Sequence, residues 1–218
     1  MVKTDSKEIA QIRRDYTASG LVEKDLVDNP IDQFSIWFDQ ALNSDLLDPN
    51  AMTLATADHK GNPSARVILL KGYDSKGFTF YTNYDSRKSH DLKKNPKAAM
   101  TFFWAELERQ VRIEGAIEKL TRKESEEYFH SRPFESQVGA WTSHQSKIIL
   151  SRDELEKTHE IIASKFKGKT VPLPEFWGGY LLKPQRIEFW QGRASRLHDR
   201  LVYRKVEEDK WVIERLAP

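Results

Sequence analysis

The stretch MTLATADHKGNPSARVILLK, residues 52–71, decides the fold class of this chain. Two runs with strand composition, residues 52–57 and 65–71, flank a connection whose Asp58, Gly61 and Asn62 are typical of hairpin turns. A connection this short cannot contain a crossover helix, so the two strands are predicted to be antiparallel. A parallel, doubly wound nucleotide-binding fold is therefore disfavoured, and its glycine-rich phosphate motifs do not occur in the sequence.

Similar patterns continue along the chain on both sides of this stretch. Further strands are predicted at residues 78–82, 98–104, 111–120, 179–182, 186–191, 201–206 and 211–216. Helices are predicted from Asn29-Pro30 towards residues 47–49, from Ser86 to before Asn95, from the capping box Thr121–Glu124 to Pro133, and through residues 155–166. This pattern predicts a mainly β, α+β protein, an antiparallel barrel with flanking helices. A single domain is expected over residues 29–218, preceded by an arm or lid at residues 1–28.

Composition excludes several kinds of chemistry. The 218 residues include no Cys, so a disulfide framework, a thiolate zinc site, an iron–sulfur cluster and a cysteine nucleophile are all impossible. The six His are scattered without an H-E-x-x-H motif, and no metal site is expected. Chemistry is therefore expected to come from a bound organic cofactor.

The charge balance and the hydropathy of the chain limit the classes of partner that it is expected to bind. Lys plus Arg number 35 against 33 Asp plus Glu, a balance that does not favour nucleic acid as a partner. The longest apolar runs, such as residues 67–70, are too short to span a membrane, and the N-terminus lacks the apolar core of a secretory signal. We therefore expect a cytoplasmic protein without membrane contact.

Two short clusters are candidates for anion binding. Arg87 and Lys88 follow Ser86 at a predicted helix start, where unsatisfied backbone N–H groups already favour a phosphate. Tyr128, Arg132 and Ser136 have spacings that could bring a phenol, a guanidinium and a hydroxyl to one phosphate. From spacing alone, an ordinary helix cap with solvated charges and a surface Arg beside a packed Tyr remain open alternatives.

Two further segments carry unexplained charge. Arg66 and Lys71 end the apolar run of residues 67–70 and, five residues apart, are predicted to point to opposite sides of the strand. Residues 188–200 combine three Arg, one His and Trp190 between two predicted strands, more than a loop needs for solubility. This segment is predicted to be an active-site loop; the alternative, a nucleic-acid patch, is weakened by the balanced total charge.

Taken in order, these segments resemble the motifs of a known family. They include residues 13–16, 66–71, 80–83, 86–88, 107–111, 128–133, 136–141, 171–174, 176–179, 187–192, 196–200 and 215–218. The chain thus resembles the pyridoxine/pyridoxamine 5'-phosphate oxidase family along nearly its whole length. The resemblance implies a split β-barrel and a homodimer that binds FMN at the subunit interface.

The resemblance also implies roles for individual residues. FMN would be bound by Arg66, Val67, Ile68, Leu69, Leu70, Lys71, Tyr81, Thr82, Arg87, Lys88, Gln110, Gln145, Ser146, Trp190 and Arg200, partly from the other subunit. The substrate would contact Lys71, Tyr128, Arg132 and Ser136 through its phosphate, together with Arg13, Arg14, Tyr16, Arg196, Leu197 and His198. Arg196 and His198 are the expected catalytic residues, lying over the pyridine ring of the substrate.

The implied reaction is oxidation of pyridoxine 5'-phosphate or pyridoxamine 5'-phosphate to pyridoxal 5'-phosphate, with O2 as the final electron acceptor. The flavin would carry the electron chemistry and the protein would position the substrate. The nearest alternative is another FMN-binding split-barrel protein with a different substrate. A non-catalytic nucleic-acid module is a more distant alternative.

Overall fold

The computed structural model of the chain describes residue 11, residues 15–208 and residues 210–218. It divides into two compact units. The first unit is formed by residues up to Pro49 together with Phe103–Arg112 and Ile187–Pro218, and the second unit by Asn50–Phe102 and Ile113–Arg186. The expected arm at residues 1–28 and the expected domain at residues 29–218 stay predictions, and Arg13 and Arg14 lie outside the described residues.

The described residues form nine strands and five α-helices. The strands are β1 (Ala51–Ala57), β2 (Pro63–Leu69), β3 (Gly72–Asp74), β4 (Gly77–Asn83), β5 (Lys97–Trp104), β6 (Arg109–Lys119), β7 (Trp177–Gln191), β8 (Asp199–Glu207) and β9 (Lys210–Arg215). The helices are α1 (Pro30–Leu42), α2 (Arg87–Lys94), α3 (Arg122–Ser131), α4 (Phe134–Thr142) and α5 (Arg152–Phe166). No helix in this part of the chain is long and apolar enough to cross a membrane.

The strand order is β2-β1-β5-β6-β7-β4-β3, and β8 pairs with β7 and β9. The pairs β1–β2, β1–β5, β3–β4, β4–β7 and β8–β9 are antiparallel. In the first hairpin Asp58 Oδ1 accepts the N–H groups of Lys60 and Asn62, at 2.8 and 3.0 Å, and Gly61 supplies a φ of +84°. The antiparallel class predicted from residues 52–71 is confirmed.

Each unit buries its own aromatic core. In the first unit, one face of α1 presents Phe34 and Trp37, and the Trp37 ring meets Phe189 of β7 edge-to-face at 5.1 Å. In the second unit, alternate residues of β1 point inward, so Met52 and Leu54 are fully buried. A further cluster packs Phe129 and Val138 of α3 and α4 against Phe166 and Trp177, and so anchors both helices.

Several element boundaries differ from the sequence predictions. Helix α1 ends at Leu42 rather than near residues 47–49, because Asn43 Nδ2 and Ser44 Oγ donate to carbonyls of its last turn. Residues 179–182 and 186–191 belong to one strand, β7, which continues through Pro184. Gly115 faces β7 at this point, where a Cβ would lie 2.0 Å from the Lys183 carbonyl oxygen.

Strand β2 ends at Leu69 and does not pair with β4, so Lys71, which was predicted to end this strand, lies beyond it. Its backbone N–H instead bonds the carbonyl of Thr79 in β4, at 2.9 Å. Lys71 therefore links β2 to β4, two strands that are not neighbours in the sheet. The short β3 and the helix α4 were not predicted from the sequence.

Candidate active site

A cavity of about 580 Å³ lies within the second unit. Ten residues that the sequence predicted as ligand contacts line it: Ile68, Leu69, Lys71, Tyr81, Thr82, Lys88, Tyr128, Arg132, Ser136 and Gln145. They come from β2, β4, α2, α3 and α4, and from the segments that directly follow β2, α3 and α4. Lys88 of the first candidate anion cluster thus lies in one cavity with Tyr128, Arg132 and Ser136 of the second, and the volume of this cavity is typical of small-molecule sites.

Lys88 contributes a buried cation to this cavity. Its residue is only 7% exposed, and its Nζ donates to Gln145 Oε1 at 2.8 Å, Thr82 Oγ1 at 3.0 Å and Ser86 Oγ at 3.3 Å. All three of these acceptors are neutral. Burial, helped by the positive charge of Arg66, lowers the pKa of Lys88 to about 8. The ammonium is therefore held where an anionic ligand would stabilise it.

Arg132 contributes the second cation. From its spacing, Arg132 was predicted to lie on the same helix as Tyr128, but it is the C-cap of α3 and lies one position beyond the last helical residue. Both side chains nevertheless line the cavity. Its Nη2 donates to the Ser136 carbonyl at 2.7 Å, whereas its Nη1 is buried and finds no hydrogen-bond partner within the described part of the chain. The guanidinium lies 4.7 Å from the Trp177 ring, and burial lowers its pKa. An unpaired buried N–H of this kind is costly without a ligand.

Three nearly parallel rings form one wall of the cavity. Tyr81 and Tyr128 stack at 3.8 Å, and Trp177 lies 5.6 Å from Tyr81 at an angle of 11°. Burial, followed by the effect of Tyr128, raises the pKa of Tyr81 to about 12, so its hydroxyl stays protonated at neutral pH. Burial likewise raises the pKa of Tyr128. Both phenols therefore remain hydrogen-bond donors.

Five of the predicted contacts in this region do not line the cavity. Arg66 is instead bonded within the sheet, its Nη1 donating to Thr56 Oγ1 at 2.8 Å, and Thr56 in turn donates to the buried Asp91. Val67 is 70% exposed, Leu70 is buried in the core, and Arg87 is exposed on the first turn of α2. Ser146 is exposed in the segment after α4.

The remaining predicted residues belong to the first unit, where Trp190, His198 and Tyr16 form a second cluster. The rings of Trp190 and His198 are 4.7 Å apart, and the Tyr16 ring meets both edge-on at 5.6 and 5.4 Å. His198 Nδ1 accepts the backbone N–H of Arg193 at 3.1 Å. The neutral ring therefore carries its proton on Nε2.

The loop that carries this histidine has an unusual backbone. Ser195 and Arg196 have φ values of 56° and 61°, in the left-handed region that residues other than glycine seldom adopt. Arg196 and Leu197 are exposed. This conformation costs free energy, which the surrounding structure must offset. Strained residues of this kind cluster at functional sites.

Arg200 and Gln110 complete the predicted set. Arg200 donates to both oxygens of the buried Glu188, at 2.9 and 3.2 Å, a two-point pairing that fixes the plane of its guanidinium. Gln110 is half-buried in β6. Sequence reasoning did not single out Glu188 as the partner that orients Arg200.

The cavity also contains residues that were not predicted as site residues. It is also lined by Trp177, Asn83, Ser143 and Gly139. Gly139 was missed because it lies in α4, a helix that was not predicted from the sequence. Asn83 Nδ2 donates to the Ser143 carbonyl at 3.3 Å and so ties β4 to the end of α4. The motif at residues 136–141 was the one signal in the sequence for this part of the wall.

Comparisons with known proteins agree with this geometry. Residues 38–165 match the family model described as pyridoxamine 5'-phosphate oxidase, and residues 177–218 match the pyridoxine 5'-phosphate oxidase C-terminal dimerisation region. A pyridoxine/pyridoxamine 5'-phosphate oxidase of Gloeothece citriformis is 52% identical, with 97% of this chain and 99% of that protein covered. One of Bordetella petrii is 54% identical, with 96% and 99% covered.

Solved structures show the same fold. PhzG of Burkholderia lata, solved in complex with tetrahydrophenazine-1-carboxylic acid, has a TM-score of 0.86 and 29% identity over 92% of this chain and 99% of that one. An FMN-binding protein of Nostoc punctiforme, related to pyridoxamine 5'-phosphate oxidase, has a TM-score of 0.69 at 14% identity, over 86% and 96% of the two chains. The fold is thus the split barrel that the sequence resemblance implied. With a matching family model over more than half of its length and full-length relatives above 50% identity, the chain belongs to the pyridoxamine 5'-phosphate oxidase family.

Proposed function

We propose that this chain oxidises pyridoxine 5'-phosphate and pyridoxamine 5'-phosphate to pyridoxal 5'-phosphate, with O2 as the electron acceptor. Family membership supports this activity and FMN as the cofactor. The alcohol and O2 give the aldehyde and H2O2. The amine gives an imine that water converts to the aldehyde and NH3. When bound, FMN would supply the redox chemistry, as the acceptor of a hydride from the substrate C4' carbon with O2 as the final electron acceptor.

The observation that carries the proposal is the pair of cations in the cavity. A flavin mononucleotide and its substrate each bring one phosphate, and the cavity offers Lys88, bonded to neutral oxygens, and Arg132, with a buried unpaired N–H. Either group gains a charge-assisted hydrogen bond when a phosphate arrives. The residues present therefore fit two phosphate-bearing ligands.

The proposed division of the cavity follows from the two clusters. Lys88, Thr82, Gln145 and residues 66–71 are assigned to FMN, with Arg87 at the start of the same helix. Arg132, Tyr128, Ser136 and Lys71 are assigned to the substrate phosphate. Gln110, Ser146, Trp190 and Arg200 are proposed to complete the FMN site, partly from the partner subunit, because residues 177–218 match a dimerisation region.

Arg196 and His198 are proposed to orient the pyridine ring of the substrate. Because Nδ1 of His198 accepts the Arg193 N–H, the neutral imidazole presents Nε2–H, a donor, to whatever lies beside it. A donor suits the hydroxyl oxygen on the substrate's pyridine ring or the C4' heteroatom better than it suits proton abstraction. We therefore propose that His198 orients the substrate and does not act as a general base. The other substrate-binding residues are proposed to position the substrate for the reaction.

The test is anaerobic mixing of the FMN-loaded protein with pyridoxine 5'-phosphate, followed by admission of air. We expect the flavin absorbance near 450 nm to bleach under anaerobic conditions and to return with O2, with pyridoxal 5'-phosphate and H2O2 as products. Pyridoxine without its phosphate is the matched control and should bleach the flavin far more slowly, since Arg132 would have no anion to bind. Unchanged absorbance with both phosphorylated substrates would refute the proposal and favour a flavoprotein with a different substrate.

A further inference from the structure

Glu108 is a buried carboxylate of the first unit that the proposed reaction does not use. It lies between the 3-10 turn Ala105–Leu107 and strand β6, and is only 4% exposed. Its backbone has φ 54° and ψ 39°, in the left-handed region. A non-glycine residue in this conformation costs free energy that other contacts must offset. The contacts that Glu108 makes outside the turn must therefore stabilise this conformation.

Glu108 bonds two segments that are far apart in the sequence. Its Oε2 accepts the backbone N–H groups of Thr17 and Ala18, both at 2.9 Å. Its backbone oxygen accepts the N–H of Gly192 at 2.7 Å and Nε2 of Gln191 at 3.1 Å. One residue thus joins the segment that follows Tyr16 to the start of the loop that carries Arg196 and His198.

The two segments meet at the Tyr16 ring. This ring contacts Trp190 and His198 edge-on, and it lies over Gly192, where a Cβ would come within 2.6 Å of Tyr16 Cδ1 and 3.2 Å of Glu108 Cβ. Only a glycine leaves room for both neighbours. The packing of Tyr16 beside His198 thus depends on where residues 17 and 18 are held.

A separate tie holds the chain slightly further on. Leu21 N–H donates to Asp199 Oδ2 at 3.0 Å, and Arg215 bonds Asp199, Glu23 and the Leu21 carbonyl. This tie fixes residues 21–23 and does not involve Glu108. Loss of the Glu108 carboxylate would therefore release residues 16–18 while the rest of the segment stays attached.

We propose that Glu108 is a positioning residue, whose buried carboxylate holds residues 17 and 18 and thereby seats Tyr16 against His198 and Trp190. Its effect on catalysis rests on the proposed function, in which His198 orients the substrate. A charged acceptor for two backbone N–H groups makes stronger bonds than a neutral one, so Glu108→Gln weakens the hold without changing the size of the side chain.

The kinetic test is a double-mutant cycle of Glu108→Gln with Tyr16→Ala in the FMN-loaded enzyme. We expect each single variant to lower kcat/KM by about 10-fold. The double variant should be only slightly less active than the less active of the two single variants, because Glu108 acts through Tyr16. Full FMN content is expected throughout. Glu106→Gln, an exposed carboxylate on the same turn, is the control and should match the wild type. Losses that multiply in the double variant would overturn the proposal.

An independent readout is backbone amide exchange in the intact protein. The amides of Thr17 and Ala18 should be protected in the wild type and in Glu106→Gln and should lose protection in Glu108→Gln, while the Leu21 amide keeps it. Equal protection of residues 17 and 18 in all three proteins would contradict the proposal whatever the activity. If the wild type showed this protection but no oxidase activity, the proposed function would fail and the positioning of Tyr16 would stand.

Discussion

At the scale of single residues, Lys88 and Arg132 are the groups whose surroundings most need a ligand. Neither has a carboxylate among the contacts described above, so an arriving phosphate meets cations whose charge the protein has left available. The local concentration of positive charge in the cavity explains how a chain with a net charge of only +2 can bind two phosphates.

The lowered pKa of Lys88 gives a pH dependence for FMN binding. Without ligand the pKa is about 8, chiefly because burial disfavours the charged form, whereas a bound phosphate favours that form and raises the pKa. Above pH 8 the free protein must therefore take up a proton in order to bind. We expect the Lys88 charge to leave FMN affinity nearly constant around pH 7 and to make it fall by up to about 10-fold per pH unit above pH 8.

FMN fluorescence quenching between pH 6.5 and 9.5 measures this dependence. In Lys88→Met the affinity should be lower at pH 7 and the decline above pH 8 should disappear, while Lys93→Met, on the exposed side of the same helix, should keep the wild-type profile. A decline of the same steepness in Lys88→Met would assign it to another group.

Replacing Arg132 should separate substrate binding from cofactor binding. Arg132→Met removes the buried Nη1 and Nη2 donors, and we expect KM for pyridoxine 5'-phosphate to rise between about 10-fold and about 100-fold with FMN content and kcat little changed. Arg132→Lys should recover only part of the loss, because an ammonium lacks the planar fork. Lys123→Met, exposed on α3, is the control. Loss of FMN together with substrate affinity would contradict the division of the cavity.

At the scale of elements, what could be predicted from the sequence depended on how local the determining contacts are. The capping box of α3 was predicted because Thr121 and Glu124 interact within one turn, and the structure contains it. Helix α4 was missed because Pro133 was interpreted only as the end of α3. Its burial depends on Val138 packing with Phe166 and Trp177 from distant segments. Likewise Thr82 Oγ1 bonds Gln145 Oε1 at 3.0 Å across 63 positions; the family resemblance assigned both residues to the FMN site, whereas their spacing gave no sign of the contact.

The capping box itself gives a prediction for α3, the helix that carries Tyr128. Thr121 Oγ1 accepts the Glu124 N–H and Glu124 Oε2 accepts the Thr121 N–H, at 3.2 and 2.8 Å. Thr121→Ala should lower the free energy of unfolding by about 1 kcal/mol in urea denaturation, and Thr121→Ser should restore it. The Thr121 hydrogen bonds lower the pKa of Glu124, so its contribution is present at neutral pH and is lost as pH falls through that pKa. Equal stability of the Ala and Ser variants would show that the cap is not needed.

At the scale of the whole molecule, we expect the proposed site to draw residues from two chains. Arg132 and Lys71 line the cavity of the second unit, whereas Arg196 and His198 lie in the region 177–218 that matches a dimerisation region. If this loop serves the partner's cavity, a chain with a defective cavity and a chain with a defective loop can form one intact site between them. Homodimers of either chain cannot.

Subunit mixing tests this arrangement. Co-expression of Arg132→Met with His198→Ala in equal amounts should give about half mixed dimers, each with one intact and one doubly defective site, and hence about a quarter of the wild-type activity. Co-expression of Arg132→Met with Lys71→Met, two changes in the same cavity, should recover none, because no pairing of these chains contains an intact cavity. Each site would then draw its phosphate cluster and its loop from different subunits. Recovery in neither mixture would instead show that the loop and the cavity of one site come from the same chain.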